Sequence, residues 1–305
     1  MAKNKINDPL ISVVIPMFNR SKTIKRCLDS VCSQTYSNLE VIVVDDCSTD
    51  NSTDVVENYS DNRVRLVKLE KNSGAQAARN NGILNANGEW IAFLDSDDTW
   101  ELQKLEKQLK ELEKNQWNPM TVVHGNCFCL DESTGKKWIW NLPVVEGYAF
   151  ESLLSAPSPM FPALLTSKKA LLDIGLLDEN VPSYQEWDTA IRLSQKCQFI
   201  HLKEPLFTYH FHEGETISKN KKRDIDGYEY IIKKFKEQMI HNKLWNKHII
   251  NLYYKSIDIG DNERALNFIY ELKVEKWKIQ LLSHINNTNL RSSKIIKYLV
   301  RKVIK

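Results

Sequence analysis

The sequence predicts an α/β chain with a mostly parallel sheet flanked by helices and a C-terminal helical extension. Three observations predict it. Short apolar runs rich in β-branched residues recur every 25–30 residues or so, with helical patterns between them, and that alternation means βαβ units on a parallel sheet. Clusters with polar residues, two of the four acidic, follow these runs. Charge is also partitioned. Residues 219–305 hold 20 Lys+Arg and 9 Asp+Glu, a balance of +11, and residues 1–218 hold 22 and 30, a balance of −8. The two regions therefore face different surroundings, which predicts domains over 1–218 and 219–305.

The elements follow in order. Residues 10–15 (LISVVI) read as a buried strand that Pro16 ends. Ile24, Cys27, Leu28 and Val31 recur at i, i+3, i+4 and i+7, one face of a helix. Residues 39–44 (LEVIVV) and 64–68 (VRLVK) predict the second and third strands. Residues 74–88 (GAQAARNNGILNANG) predict an alanine-rich helix with Gly88 as its stop. Residues 90–94 (WIAFL) predict the fourth strand. Leu102, Leu105, Leu109 and Leu112 mark a further amphipathic helix. Residues 120–218 are less regular: VVHGNCFCL reads as a strand, KKWIWNLPVVEG as a strand and turn, EWDTAIRLSQK as a helix and CQFIHLKEPLFTYHFH as a strand. From Asp224 onward the pattern is helical.

A chain of 305 residues with 42% hydrophobic and 27% charged residues can bury one or two real cores, which excludes fibrous and low-complexity classes. No uncharged apolar run reaches the roughly 18 residues of a membrane span. The N-terminal MAKNKINDPLISVVIP has no basic-then-apolar leader. The expectation is a cytoplasmic protein. Six cysteines without a CxxC pair predict reduced core thiols rather than a zinc or redox motif.

In an open α/β sheet, ligands bind beyond the carboxyl ends of the strands. The candidates are therefore Pro16-Met17-Phe18-Asn19-Arg20, Asp45-Asp46, Asn72-Ser73-Gly74 and Asp95-Ser96-Asp97-Asp98. Alternation aims Asp95 and Asp97 the same way. Mg²⁺ or Mn²⁺ takes carboxylate oxygens and shares substrate phosphate oxygens. The plain alternative is that Asp98 or Thr99 N-caps the next helix. Asp45-Asp46 reads either as a solvated turn or as a carboxylate accepting a base imide N–H while Phe18 packs on the ring. Neither GxGxxG nor GxxxxGK[ST] occurs, so dinucleotide and P-loop phosphate sites are not supported.

Taken together, SVVIPMFNR, LDSVCSQTYSNLEVIVVDDCSTDNSTD and NSGAQAARNNGILNANGEWIAFLDSDD resemble the family 2 inverting glycosyltransferases of the GT-A fold. The likeness runs through residues 11–98 and continues more loosely to about 218. It implies a Rossmann-like GT-A domain, a nucleotide-sugar donor that is most often a UDP-sugar, and Mn²⁺ or Mg²⁺. Pro16 and Phe18 then line the uracil pocket, with Asn19 in the same loop. Asp46 matches the carboxylate that reads the uracil imide. Asn72 and Arg79 fall in the stretch that contacts the nucleotide, although Arg79 reads equally as a helix-surface residue. Asp95 and Asp97 match the DxD motif, Asp97 towards the metal and Asp95 towards the ribose. The acceptor hydroxyl must lose a proton to a positioned base. Where the family pattern is Glu-Asp-x-Asp, this chain has Gln185-Glu186-Trp187-Asp188. Glu186 thus stands at the base position, and it also suits a helix N-terminus on dipole grounds alone. Asp188 is the substitute candidate, or a support for the acceptor site or local fold. His212 matches a histidine that closes over the diphosphate and metal, and His210 stands where an arginine is frequent. His124 reads as structural.

Residues 290–305 (LRSSKIIKYLVRKVIK) gather apolar residues on one helical face, with six cations and no acid. That composition suits a helix on an anionic membrane surface, a helix packed on its neighbours with a solvated rim, or a dimer interface. No nucleic-acid motif accompanies the charge. The expectation is inverting hexosyl or N-acetylhexosaminyl transfer to a glycan or lipid-linked glycan, in bacterial cell-surface polysaccharide or lipopolysaccharide assembly. The location is the cytoplasm, or its edge at the inner face of the membrane, with homo-oligomer formation open. The rivals are a non-catalytic sugar-nucleotide or membrane-binding module, suggested by the Gln185-Glu186 departure, and a nucleotidyltransferase. The latter is disfavoured because PMFNR is not a glycine-rich phosphate loop.

Overall fold

A computed structural model describes residues 8–212 and 220–287. The basic tail at 290–305, and with it the membrane-contact expectation, lies outside the described residues. The chain divides into two compact units, Met1–Glu179 with Gln185–Gly214, and Asn180–Tyr184 with Glu215–Lys305.

The first unit is a nine-stranded mixed sheet of order β3-β2-β1-β4-β8-β6-β9-β5, with β7 paired to β6. Strands β1 (Ile11–Met17), β2 (Leu39–Asp45), β3 (Val64–Lys68) and β4 (Trp90–Phe93) are parallel neighbours. These are the four predicted strands; β1, β2 and β4 are buried on both faces, as inner parallel strands require, while β3 lies at the sheet edge and is only half-buried. Pro16 does not end β1 but lies within it, paired to Val44. The carbonyl of Val14 accepts Leu94 N–H on the β4 side. Alternation turns Pro16 towards that same side, past the last β1–β4 pair at Val14 and Phe93, so its missing N–H breaks no ladder.

Beyond β4 the sheet departs from the mostly parallel expectation. The three-residue β8 (Leu165–Ser167) is antiparallel to both β4 and β6 (Thr121–Asp131), and β9 (Gln198–Phe211) is parallel to β6. Two reversals restore the direction. The carboxyl ends of β1, β2, β3, β4, β6 and β9 therefore open on one edge. The short β5 (Thr99–Trp100) and β7 (Lys137–Trp140) complete the sheet as antiparallel partners. Because β5 occupies Thr99–Trp100, neither Asp98 nor Thr99 is a helix cap. The next helix begins at Lys104, after Gln103.

Helix α1 (Ile24–Cys32) lays Ile24, Cys27, Leu28 and Val31 on Ile11, Val13, Ile15 and Met17 of β1, all buried in one core. After the short α2 (Ser52–Glu57), α3 (Ala75–Asn85) covers the opposite face, so closely that a Cβ on Gly82 would lie 2.4 Å from Val14 Cγ1. Gly88 is not the stop of α3, which ends at Asn85. A Cβ there would meet the Leu10 carbonyl oxygen at 2.4 Å, so the glycine permits close approach to β1. In α4 (Lys104–Lys114), Leu105, Leu109 and Leu112 are buried, but Leu102 precedes the helix and is exposed. Helices α5 (Phe150–Ser155) and α6 (Lys168–Asp173) precede α7 (Gln185–Ser194), which carries the predicted acidic motif.

From Lys221 the second unit is built of helices among its described residues: α8 (Lys221–Lys234), α9 (Lys236–His241), α10 (Trp245–Asp258), α11 (Asn262–Tyr270) and α12 (Lys276–Asn287). Ile231, Ile232, Met239, Leu252 and Phe268 form its interior. A buried Tyr228 hydroxyl meets His248 Nδ1 at 2.7 Å. No helix among the described residues is long and apolar enough to cross a membrane.

Candidate active site

The loops after β1, β2 and β3 are knitted by short polar side chains. Asn19 sits at φ +52°, a left-handed conformation that asparagine tolerates. Its Oδ1 accepts Thr49 N–H at 2.8 Å, and its own N–H donates to Ser48 Oγ at 2.9 Å. Asp45 accepts the N–H of Ser48 and closes its own turn. Asp46 is buried. Its Oδ1 accepts Ser73 N–H at 2.6 Å, its Oδ2 accepts Gly74 N–H at 2.8 Å, and Asn72 Nδ2 donates to its carbonyl at 3.1 Å. The structure thus brings Phe18, Asn19, Asp46 and Asn72 together at the end of buried Pro16. The asparagines and Asp46 are first of all internal cross-links. Phe18, 41% exposed, is the apolar surface left open there.

Arg79 is not a helix-surface residue. It is buried on α3, with Nη2 2.6 Å from Asp95 Oδ1, and Nη1 donating to Gln76 Oε1 at 2.9 Å and Gln185 Oε1 at 3.2 Å. Its guanidinium lies 4.3 Å over the Phe161 ring. Arg79 therefore joins the end of β4 to the start of α7, neutralises Asp95, and leaves its Nε without a partner.

Asp97 has different partners. Its Oδ2 lies 3.3 Å from Arg20 Nε and 3.2 Å from His212 Nε2. Asp98, a cap candidate in the sequence, is buried and accepts His210 N–H at 3.0 Å, with its second oxygen unpartnered. Burial, then the charges of Asp97 and Asp95, hold its carboxyl well above the usual range. His210 does not reach Asp97; it meets Thr99 Oγ1 at 3.0 Å and Glu132 Oε1 at 3.1 Å. His124 is buried against the Val145 carbonyl, and burial pulls it down to about 4, the behaviour of a structural histidine.

Glu186 lies in the first turn of α7, partly buried. Burial raises its carboxyl above the usual glutamate range, Arg79 opposes the rise, and Asp95 adds to it. The charged groups around Glu186 are therefore those of the DxD end. Asp188 is different. It is fully buried, with Oδ2 accepting Arg192 Nε at 2.8 Å, while Arg192 Nη1 ties the carbonyls of Ile174 and Leu176. Its placement is that of a core ion pair, which agrees with the reading of Asp188 as a support for the local fold.

A groove of about 330 Å³ on the outer side of α3 is lined by Leu69, Ser73, Asn80 and Glu179, among others, and includes none of Asp95, Asp97, Glu186 or His212. Chemistry rather than concavity locates the site. Among the described residues no three His, Cys, Asp or Glu side chains gather as a self-sufficient metal cage. Asp97 and His212 offer one carboxylate oxygen and one imidazole nitrogen 3.2 Å apart. That donor set fits a cation of the Mg²⁺ or Mn²⁺ kind, which binds through one or two protein ligands and fills its shell with phosphate oxygens and water.

The sheet with its doubly reversed strand order is a GT-A glycosyltransferase fold. It superposes on S. aureus TarS residues 1–349, solved with UDP-GlcNAc, with a TM-score of 0.69 and 19% identity over 96% of this chain and 90% of that one. The glycosyl transferase family 2 model matches residues 12–146. An uncharacterised glycosyltransferase of Haemophilus influenzae is 32% identical over 207 residues, 67% of this chain and 69% of that protein. The chain belongs to glycosyl transferase family 2. The Escherichia coli UDP-Glc:α-D-GlcNAc-diphosphoundecaprenol β-1,3-glucosyltransferase WfgD is 41% identical over 121 residues, 40% of this chain and 47% of WfgD. The matches to several curated relatives span less than half of their length.

Proposed function

We propose that this chain is an inverting, metal-dependent glycosyltransferase that moves a hexosyl or N-acetylhexosaminyl group from a UDP-sugar to an acceptor hydroxyl. The observation that carries the reading is the gathering of an open aromatic ring, the Asp97–His212 pair and a raised carboxyl on Glu186 at the carboxyl edge of one sheet. Phe18 packs on the base, above the loop that Asp46 holds. Asp97 and His212 hold Mn²⁺ or Mg²⁺, which, when bound, neutralises the charge that builds on the leaving diphosphate. Arg79 keeps Asp95 turned inward and offsets the charge near Glu186. Glu186 accepts the proton of the acceptor hydroxyl as that oxygen attacks the anomeric carbon from the face opposite the diphosphate, which inverts the configuration. A raised pKa suits this role, because the base works best when its pKa approaches the working pH.

A UDP-sugar donor is supported by WfgD, which uses UDP-Glc, and by TarS, which binds UDP-GlcNAc; the diphosphoundecaprenol-linked acceptor of WfgD supports a sugar-diphosphate lipid as acceptor. The proposed setting is cell-surface polysaccharide assembly at the cytoplasmic face of the membrane. The test is UDP release by the purified chain over a panel of UDP-sugars, with Mn²⁺ and with EDTA, alongside Asp97→Ala and Glu186→Gln. Metal-dependent release from one donor, abolished in Asp97→Ala, is the expected result. UDP binding without turnover of any donor, even with a sugar-diphosphate lipid added, would favour a binding module instead.

A further inference from the structure

Asp97 and His212 come from different elements, the loop after β4 and the end of β9, yet stand 3.2 Å apart. Something must hold the two elements in register. Arg26 on α1 donates Nη2 to the Asp97 carbonyl at 2.9 Å. On β9, His210 receives that loop twice: its N–H donates to Asp98 Oδ1 at 3.0 Å, and its Nε2 meets Thr99 Oγ1 at 3.0 Å. Both clamps converge on one carboxylate. Glu132 Oε1 accepts from Arg26 Nη1 and lies 3.1 Å from His210 Nδ1. The Glu132 N–H also donates to the Phe211 carbonyl at 3.0 Å, one residue before His212.

The chemistry agrees with a fixed arrangement. Burial would raise the Glu132 carboxyl, but the hydrogen bond and charge of Arg26, then His210, outweigh it and lower the pKa, so the group is an anion. A carboxylate only accepts, so His210 donates to it from Nδ1, and Nε2 is left to meet the Thr99 hydroxyl. Glu132 thus fixes the ring, and the ring fixes the loop.

We infer that Glu132 is a positioning residue that, through Arg26 and His210, holds Asp97 and His212 at the spacing needed to grip one cation and the diphosphate. The inference rests on the reading of Asp97 and His212 as the metal-and-diphosphate pair. Outer partners of metal ligands change affinity about 10–100-fold when removed, and Glu132 is expected to fall in that range.

The test is Mn²⁺ binding to the full chain with UDP present, read as free Mn²⁺ by EPR, for wild type, Glu132→Gln and Glu132→Ala. UDP affinity without metal and Tm are measured in parallel. Glu132→Ala should weaken Mn²⁺ binding tenfold or more and leave metal-free UDP affinity unchanged, since the Phe18 and Asp46 end is untouched. Glu132→Gln keeps an acceptor oxygen and should fall between the two. If Glu132→Ala does not fold, Glu132→Gln decides. Wild-type Mn²⁺ affinity in the folded variants overturns the inference and leaves the proposed function standing. Equal loss of metal-free UDP affinity overturns it in favour of a purely structural role. Failure of the wild type to bind Mn²⁺ with UDP overturns the metal reading itself, and the inference with it.

Discussion

Replacing Asp46 by alanine tests whether this residue builds the nucleotide end of the site or merely reads the base. Its carboxylate accepts two backbone N–H groups, from Ser73 at 2.6 Å and Gly74 at 2.8 Å. Hydrogen bonds to a charged group contribute about 1.5–3 kcal/mol each. The loop borders the open edge, so water would satisfy part of what is lost, and the lower figure applies. Two such bonds then give about 3 kcal/mol of local stability. Since about 1.4 kcal/mol is a factor of ten, the Ser73 and Gly74 amides should exchange with deuterium about a hundredfold faster in Asp46→Ala. Peptide-level hydrogen exchange reads this directly and avoids a global unfolding measurement on a two-unit chain. UDP binding should fall together with loop protection. If UDP binding disappears while exchange across 70–76 is unchanged, the carboxylate is not the pillar of the loop, and the reasoning from its two N–H partners is refuted.

Other outcomes follow from the same geometry. Gly82→Ala puts a methyl 2.4 Å from Val14 Cγ1. It should cost about 1–3 kcal/mol as overpacking, recovered in part by adding Val14→Ala, as urea titration would show. Asp188→Ala strands Arg192 in the core and should destabilise by about 3–5 kcal/mol. A soluble Asp188→Ala with wild-type Tm and no turnover would return Asp188 to the chemistry. The raised carboxyl of Glu186 should place the acid limb of kcat/KM above the ordinary glutamate value of about 4.3. Glu186→Gln should remove that limb and about 10²–10⁴ of the rate; a limb unmoved in Glu186→Gln assigns it to another group. Asp98 has a folded pKa above its unfolded one. Its contribution to stability is full below about pH 4 and is lost as pH rises through the raised value. Asp98→Asn should therefore match wild type in Tm near about pH 4 and exceed it at about pH 8. Equal Tm at both would show that Asp98 ionises freely.

The sequence was legible where burial is continuous and partners are close along the chain. Strands β1, β2 and β4 announce themselves because a parallel strand covered on both faces is a nearly unbroken apolar run, whereas the edge strand β3, VRLVK, is half-buried and reads more weakly. The three residues of β8 are too few to carry a period, yet their two antiparallel pairings turn β6 and β9 back towards the site. Arg79 gave no burial signal, because a buried arginine is visible only through partners such as Asp95 and Gln185, which the fold supplies. Asp188 did carry a readable signal. Its arginine lies four residues on along the same helix, the spacing of a helical ion pair, and that pairing competes with any catalytic reading.

The clamp around Glu132 lay furthest out of reach, and the reason bears on how the site works. Glu132 sits in a polar hairpin, LDESTGKK, which reads as a solvated turn. Its partners are 106 residues away at Arg26 and 78 away at His210. Asp97, Asp46 and Glu132 share this property: each carboxylate that looks available in the sequence is already engaged by the fold. Asp97 faces Arg20 and His212, Asp46 faces two amides, and Glu132 faces a guanidinium and an imidazole. A ligand arriving at this edge does not meet idle acids. A cation at Asp97 must compete with Arg20 for the same oxygen, and Arg20 donates Nη1 to the carbonyls of Phe18 and Asn19. Displacing Arg20 from Asp97 would therefore be felt at the loop bearing the exposed ring. Coupling of this kind is reciprocal, so Arg20→Ala should tighten Mn²⁺ binding in the absence of UDP and reduce the extent to which UDP and Mn²⁺ strengthen one another. An unchanged coupling factor in Arg20→Ala would show that the metal and base ends act independently.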